Sequence, residues 1–247
     1  MRDPVLEWAR GGVHELLDKP PYHVRCRCEV KEIIARGERW EVTKTRRNPP
    51  WPCEWCVEKR EIWKWLAKHG DRRIAVSRLA LHHDRASFHR VYGYLCRLMD
   101  ELPSAVPTEG IVLSFEPGAL RTDFSGWDER QHCLRLSGDY FGNAQDLARL
   151  EHALAGYEAM AENPAGCHSP EYLVAHEFGH CLWYRLDTGK YERWWLLSEV
   201  RQICRNARAG PKEGFAEGFA AMRQTPAERW PAAVEDLHRM LREDGVL

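Results

Sequence analysis

His176-Glu177-Phe178-Gly179-His180 decides how this chain is read. The two histidines stand four residues apart, so on a helix they project from one face and can both reach a single Zn²⁺. Glu177 then lies beside the coordination position they leave open. A surface helix can carry two histidines by chance. Here Leu173, Val174 and Phe178 make the helix partly buried, and paired buried imidazoles need a partner, of which a metal is the simplest.

A catalytic zinc takes three protein ligands and keeps a fourth position open, so a further ligand is expected from elsewhere in the chain. Glu213-Gly214-Phe215-Ala216-Glu217-Gly218-Phe219 offers two carboxylates one helical turn apart. Sharing a face, one can bind metal while the other accepts a hydrogen bond from the free ring nitrogen of a ligand histidine. The apolar residues between them argue against a solvated acidic face. Glu199 is the rival third ligand, nineteen residues after His180 and on a helix expected over 194 to 207.

Outward from these motifs, the C-terminal half reads as helices over 144 to 161, 170 to 186, 194 to 207, 212 to 224 and 227 to 243, with Thr225-Pro226 between the last two. They follow strand-like stretches at 111 to 115 and 132 to 136. Upstream, 58 to 68 and 87 to 102 have helical apolar spacing. Residues 1 to 57 hold a helix candidate over 5 to 17, β-like stretches over 24 to 34 and 39 to 45, and a Pro-rich loop. The expected class is α+β: a small Cys-rich β-containing module over 1–57, a helical linker or scaffold over 58–105, and a catalytic domain over 106–247 built on a small mixed sheet and the histidine helix.

HEFGH (176–180) followed by EGFAEGF (213–219) resembles the zincin metallopeptidases, and within them the gluzincin-type catalytic domain of anthrax lethal factor and related modules of phages and polymorphic toxins. The resemblance covers roughly residues 108 to 224 in layout and is specific in the two motifs. It implies a zincin-like fold with one catalytic zinc held by His176, His180 and Glu213, Glu177 as general base, and Glu217 as the partner of a ligand histidine. It ranks Glu213 above Glu199, whose spacing resembles that of thermolysin-like families. It also implies that the strand over 133 to 136 takes the place of the edge strand that holds extended peptides. A transition-state-stabilising tyrosine is expected seven residues before the third ligand, where this chain has Asn206; Tyr184 or Tyr191 is the candidate replacement. Pro20-Pro21-Tyr22-His23-Val24-Arg25-Cys26-Arg27-Cys28 is similar to the end of the head-morphogenesis domain of phage minor head proteins, which implies a phage or prophage origin.

Nine cysteines in a chain of 247 residues suit free thiols and metal ligands better than a disulfide framework. Cys26 and Cys28 with Cys53 and Cys56 form two close pairs flanking a β-hairpin, an arrangement that suggests a second, structural zinc; the alternative is four unrelated thiols. A net charge of -1 supplies no overall field toward nucleic acid or membrane. With no apolar leader or spanning stretch, the expected location is the cytoplasm of a bacterial host or a phage particle. The expected partners are a protein or peptide substrate and phage structural proteins. The leading expectation is a zinc endopeptidase. Its rivals are an inactive, zinc-braced phage structural protein, which Asn206 favours, and a repressor-cleaving regulatory protease, which HEFGH with Phe219-Ala220-Ala221 also resembles.

Overall fold

A computed structural model describes residues 28–32, 41–44, 54–80, 83–116 and 124–247, with side chains from residue 57 onward. The helix expected over 5 to 17 and the cluster of Cys26, Cys28, Cys53 and Cys56 fall outside the described side chains. Strands β1 (Cys28–Glu32) and β2 (Glu41–Lys44) pair antiparallel, Val30 opposite Val42, within the two stretches read as β-like.

The remaining elements are α1 (Glu54–His69), β3 (Ile74–Arg78), α2 (Arg85–Glu101), β4 (Ile111–Glu116), β5 (Ser125–Asp128), β6 (Cys133–Ser137), α3 (Ala144–Ala159), α4 (Pro170–Trp183), α5 (Thr188–Leu197), α6 (Pro211–Gln224) and α7 (Ala232–Glu243). The fold is mixed α+β. Its four-stranded sheet has the order β3-β4-β6-β5, parallel at the first two pairings and antiparallel at the last. β3 was not anticipated. It lies in the stretch read as wholly helical, so the sheet draws one strand from upstream of residue 106.

Three further expectations are corrected. The strand read over 133 to 136 is not at the edge: β6 sits between β4 and β5, and the outer strand on that side is β5, with Trp127 opposite Leu134. The single helix expected over 194 to 207 also does not form. α5 begins earlier, where the Asp187 side chain accepts from the Gly189 amide, and ends at Leu197, with Ser198 extended. From there two short 3₁₀ turns, Val200–Gln202 and Asn206–Arg208, carry the chain. This path is held by tertiary bonds: the Arg205 and Asn206 amides donate to the Ala161 and Glu162 carbonyls at 2.7 and 3.4 Å. The helix expected from 227 likewise starts only at Ala232, after Pro231, which suits a helix N-terminus but not its interior.

α4 is buried along almost its whole length. Ser169 starts it, accepting from the Tyr172 amide, with Pro170 at the first helical position. Its closest neighbour is α6, and the contact is set by Gly179: a Cβ there would lie 2.9 Å from the Ala216 Cα, closer than two such carbons approach. Phe178 stacks on Phe219 at 6.2 Å, both fully buried. Each such side chain contributes roughly 1.5–3 kcal/mol through burial. The helix pair is therefore fixed in spacing and register by packing.

The sheet side of the core holds His83, fully buried with its ring edge-on to Phe115 at 4.3 Å and its Nδ1 accepting from the Ala80 amide at 3.1 Å. Burial, aided by the positive charge of Lys59, pushes its pKa from 6.5 down to about 3. A histidine held neutral in the folded state takes up a proton on unfolding below pH 6.5, so acid favours the unfolded chain. This group's contribution to stability is complete above pH 6.5 and is lost as pH falls toward 3. Urea unfolding should show a slope of up to about 1.4 kcal/mol per pH unit in that window. The slope should shrink in His83→Gln, and equal slopes in the two proteins would contradict this account. Among the described residues no helix is long and apolar enough to cross a membrane.

Candidate metal centre

α4 and α6 cross with Gly179 against Ala216, and this crossing places the charged residues of the two motifs opposite each other. His176 Nε2 and His180 Nε2 stand 3.1 Å apart. Glu213 Oε2 lies 3.5 Å from each of them. Around a tetrahedral Zn²⁺ with bonds of about 2.0–2.1 Å, neighbouring ligand atoms are roughly 3.3 Å apart. The observed triangle brackets that spacing, and two imidazoles with a carboxylate are a donor set suited to zinc. These three residues are thus placed to hold a metal ion, and they form such a group among the described residues.

The electrostatics of the group agree with this. Burial opposes charge on His176, but the Glu217 and Glu213 carboxylates outweigh it and hold the ring well above the ordinary histidine range. Bonds to His176 and His180 hold Glu213 well below the ordinary carboxylate range. The negative field that retains a proton between these groups equally favours a divalent cation in its place.

Behind the triangle, Glu217 is 1% exposed, with Oε1 3.5 Å from His176 Nδ1. Its Oε2 accepts from the Tyr172 hydroxyl at 2.8 Å, and that phenol, buried and beside the carboxylate, is pushed well above its ordinary range. Glu217 thus faces the back of a candidate ligand ring at ion-pair distance, and neither the buried Nδ1 of His176 nor that of His180 makes a hydrogen bond. Glu177 is 4% exposed and accepts from the Ser125 hydroxyl at 2.7 Å.

In front of the triangle is a cavity of about 530 Å³. It is lined by Phe124 and, from β5, Ser125, Gly126 and Trp127, and also by Tyr157, Asn163, Asn206 and Lys212. The phenol of Tyr157 packs edge-on to Phe124 at 5.8 Å.

Comparison with family models, curated proteins and solved structures finds no match. The reading of the centre therefore rests on its own geometry.

The other expected residues are placed elsewhere. Glu199 is exposed at the start of a 3₁₀ turn, its carboxylate accepting from the Gln202 side chain, and it does not join the group. Tyr184 follows α4 with the Lys212 ammonium 4.9 Å above its ring and does not line the cavity. Tyr191 is fully buried, edge-on to Phe215 at 5.2 Å, and its hydroxyl donates to Asp244 at 2.6 Å. Neither tyrosine replaces Asn206, which itself lines the cavity. Sequence reasoning missed Ser125, Tyr157, Asn163 and Lys212. Ser125 and Tyr157 carry no local signal, because what brings them to the centre is strand order and the packing of α3 against Phe124.

Proposed function

We propose that this chain is a zinc-dependent endopeptidase of the zincin type. The observation that carries the proposal is the triangle of His176, His180 and Glu213, sized for a tetrahedral metal, with the Glu177 carboxylate next to it at the foot of a cavity lined by an outer strand. Bound there, Zn²⁺ would supply Lewis acidity, making water acidic near neutral pH and drawing electron density from a carbonyl oxygen. Glu177 takes a proton from the attacking water and gives it to the amine that leaves when the peptide bond breaks. Its low exposure keeps bulk water from competing for that proton. Glu217, braced by Tyr172, orients the His176 ring from behind.

One zinc per chain should survive dialysis and should come out with a strong chelator. Casein hydrolysis should disappear with it and return when zinc is restored. A zinc-loaded chain that leaves casein and a panel of unfolded proteins intact would favour the zinc-braced, non-catalytic reading, which Asn206 in the cavity wall supports. A second tightly held zinc would place one in the cysteine module.

A further inference from the structure

Ser125 opens β5, and its Oγ donates to Glu177 Oε1 across 52 positions of sequence at 2.7 Å. Successive side chains of a strand alternate in direction, so Ser125 shares a face with Trp127, which also lines the cavity, while Asp128 on the opposite face pairs with Arg135. The start of β5 is pinned to β6: Ser125 stands opposite Leu136, and the Ser137 amide donates to the Phe124 carbonyl at 2.9 Å. Ser125 is only half-buried and could satisfy its hydroxyl with water. Glu177 is far less exposed, so the bond matters more to the carboxylate than to the hydroxyl.

We propose that Ser125 is a positioning residue for the general base, an inference that rests on the peptidase reading above. An ionised carboxylate only accepts, so the hydroxyl proton points at Oε1, and Oε2 is left as the oxygen that exchanges protons. A glutamate side chain turns about three bonds, and tying one oxygen to the sheet removes most of that freedom. During turnover Ser125 keeps its own proton: the transferred proton passes from water to Glu177 Oε2 and on to the amine nitrogen. The anchor thus acts on the rate of proton transfer and not on the affinity for peptide or metal.

The test compares wild type, Ser125→Ala and Ser125→Thr with zinc loaded, on one fluorogenic peptide. Alanine should keep the wild-type zinc content and KM while kcat falls roughly 10–100-fold, the worth of a hydrogen bond to a charged group. Threonine, which retains the hydroxyl, should recover most of the loss. A second readout does not involve activity: unfolding free energies of wild type, Ser125→Ala, Glu177→Ala and the double variant should be non-additive. An active wild type with unchanged kcat in Ser125→Ala, a threonine variant no better than alanine, or additive unfolding energies would each overturn the role of Ser125 alone. A zinc-loaded wild type inert toward peptides would instead overturn the peptidase reading, and the positioning role with it.

Discussion

Glutamine at position 177 is expected to leave zinc bound as tightly as in the wild type while peptide hydrolysis slows roughly 10²–10⁴-fold, the usual contribution of a positioned proton-transfer group. The substitution is nearly isosteric, which matters at a site 4% exposed. Its carbonyl oxygen can still accept from Ser125 at the position of Oε1, so the side chain keeps its place. What changes is the other atom. An amide nitrogen donates and cannot take a proton from water. Metal content by atomic emission and kcat on the same preparation separate the two effects. Cleavage at the wild-type rate by Glu177→Gln would exclude Glu177 as the base.

Removing the Glu213 carboxylate should act on the metal itself. In Glu213→Ala the two imidazole nitrogens remain 3.1 Å apart, but the third corner of the triangle is gone. Zinc affinity should fall by more than the roughly 10–100-fold that loss of a ligand's supporting partner costs. The zinc-dependent rise in thermal midpoint should shrink with it, since a ligand stabilises the folded state in proportion to its affinity. Glu199→Ala is the control and should behave as wild type, because Glu199 is exposed on a separate turn. If competitive titration gave Glu213→Ala the wild-type affinity and Glu199→Ala a weaker one, the assignment of the third ligand would be wrong.

The parts of this centre that follow from helical spacing were legible in the sequence. His176 with His180, and Glu213 with Glu217, each lie one turn apart on helices marked by apolar neighbours and a proline at the first position, so their shared faces could be read locally. What could not be read is set by long-range contacts. The strand over 133 to 136 was correctly seen as a strand, but its rank in the sheet depends on β5, whose Ser-Gly-Trp-Asp has no apolar alternation to announce it. Ser125 was missed for the same reason. The helix expected over 194 to 207 gave way to bonds with the Ala161 and Glu162 carbonyls, a tertiary preference that local propensity does not contain. Tyr184 and Tyr191 were plausible only while their positions were unknown; Asp244, which takes the Tyr191 hydroxyl, lies fifty-three residues downstream.

The close seating of Gly179 on Ala216 bears on how the protein would take up an ion. Both imidazoles ride on one side of that contact and both acidic side chains on the other, and the distance between the two backbones is dictated by hydrocarbon, not by coordination bonds. Helix packing itself holds the donor atoms together, so uptake of a cation would demand little rearrangement of the chain. Such a receptor forgoes the ordering cost that a floppy chelator bears on each loading. Stripped and zinc-loaded protein should therefore differ little in shape, as expected of a rigid holder and not of a chain that its ion staples together.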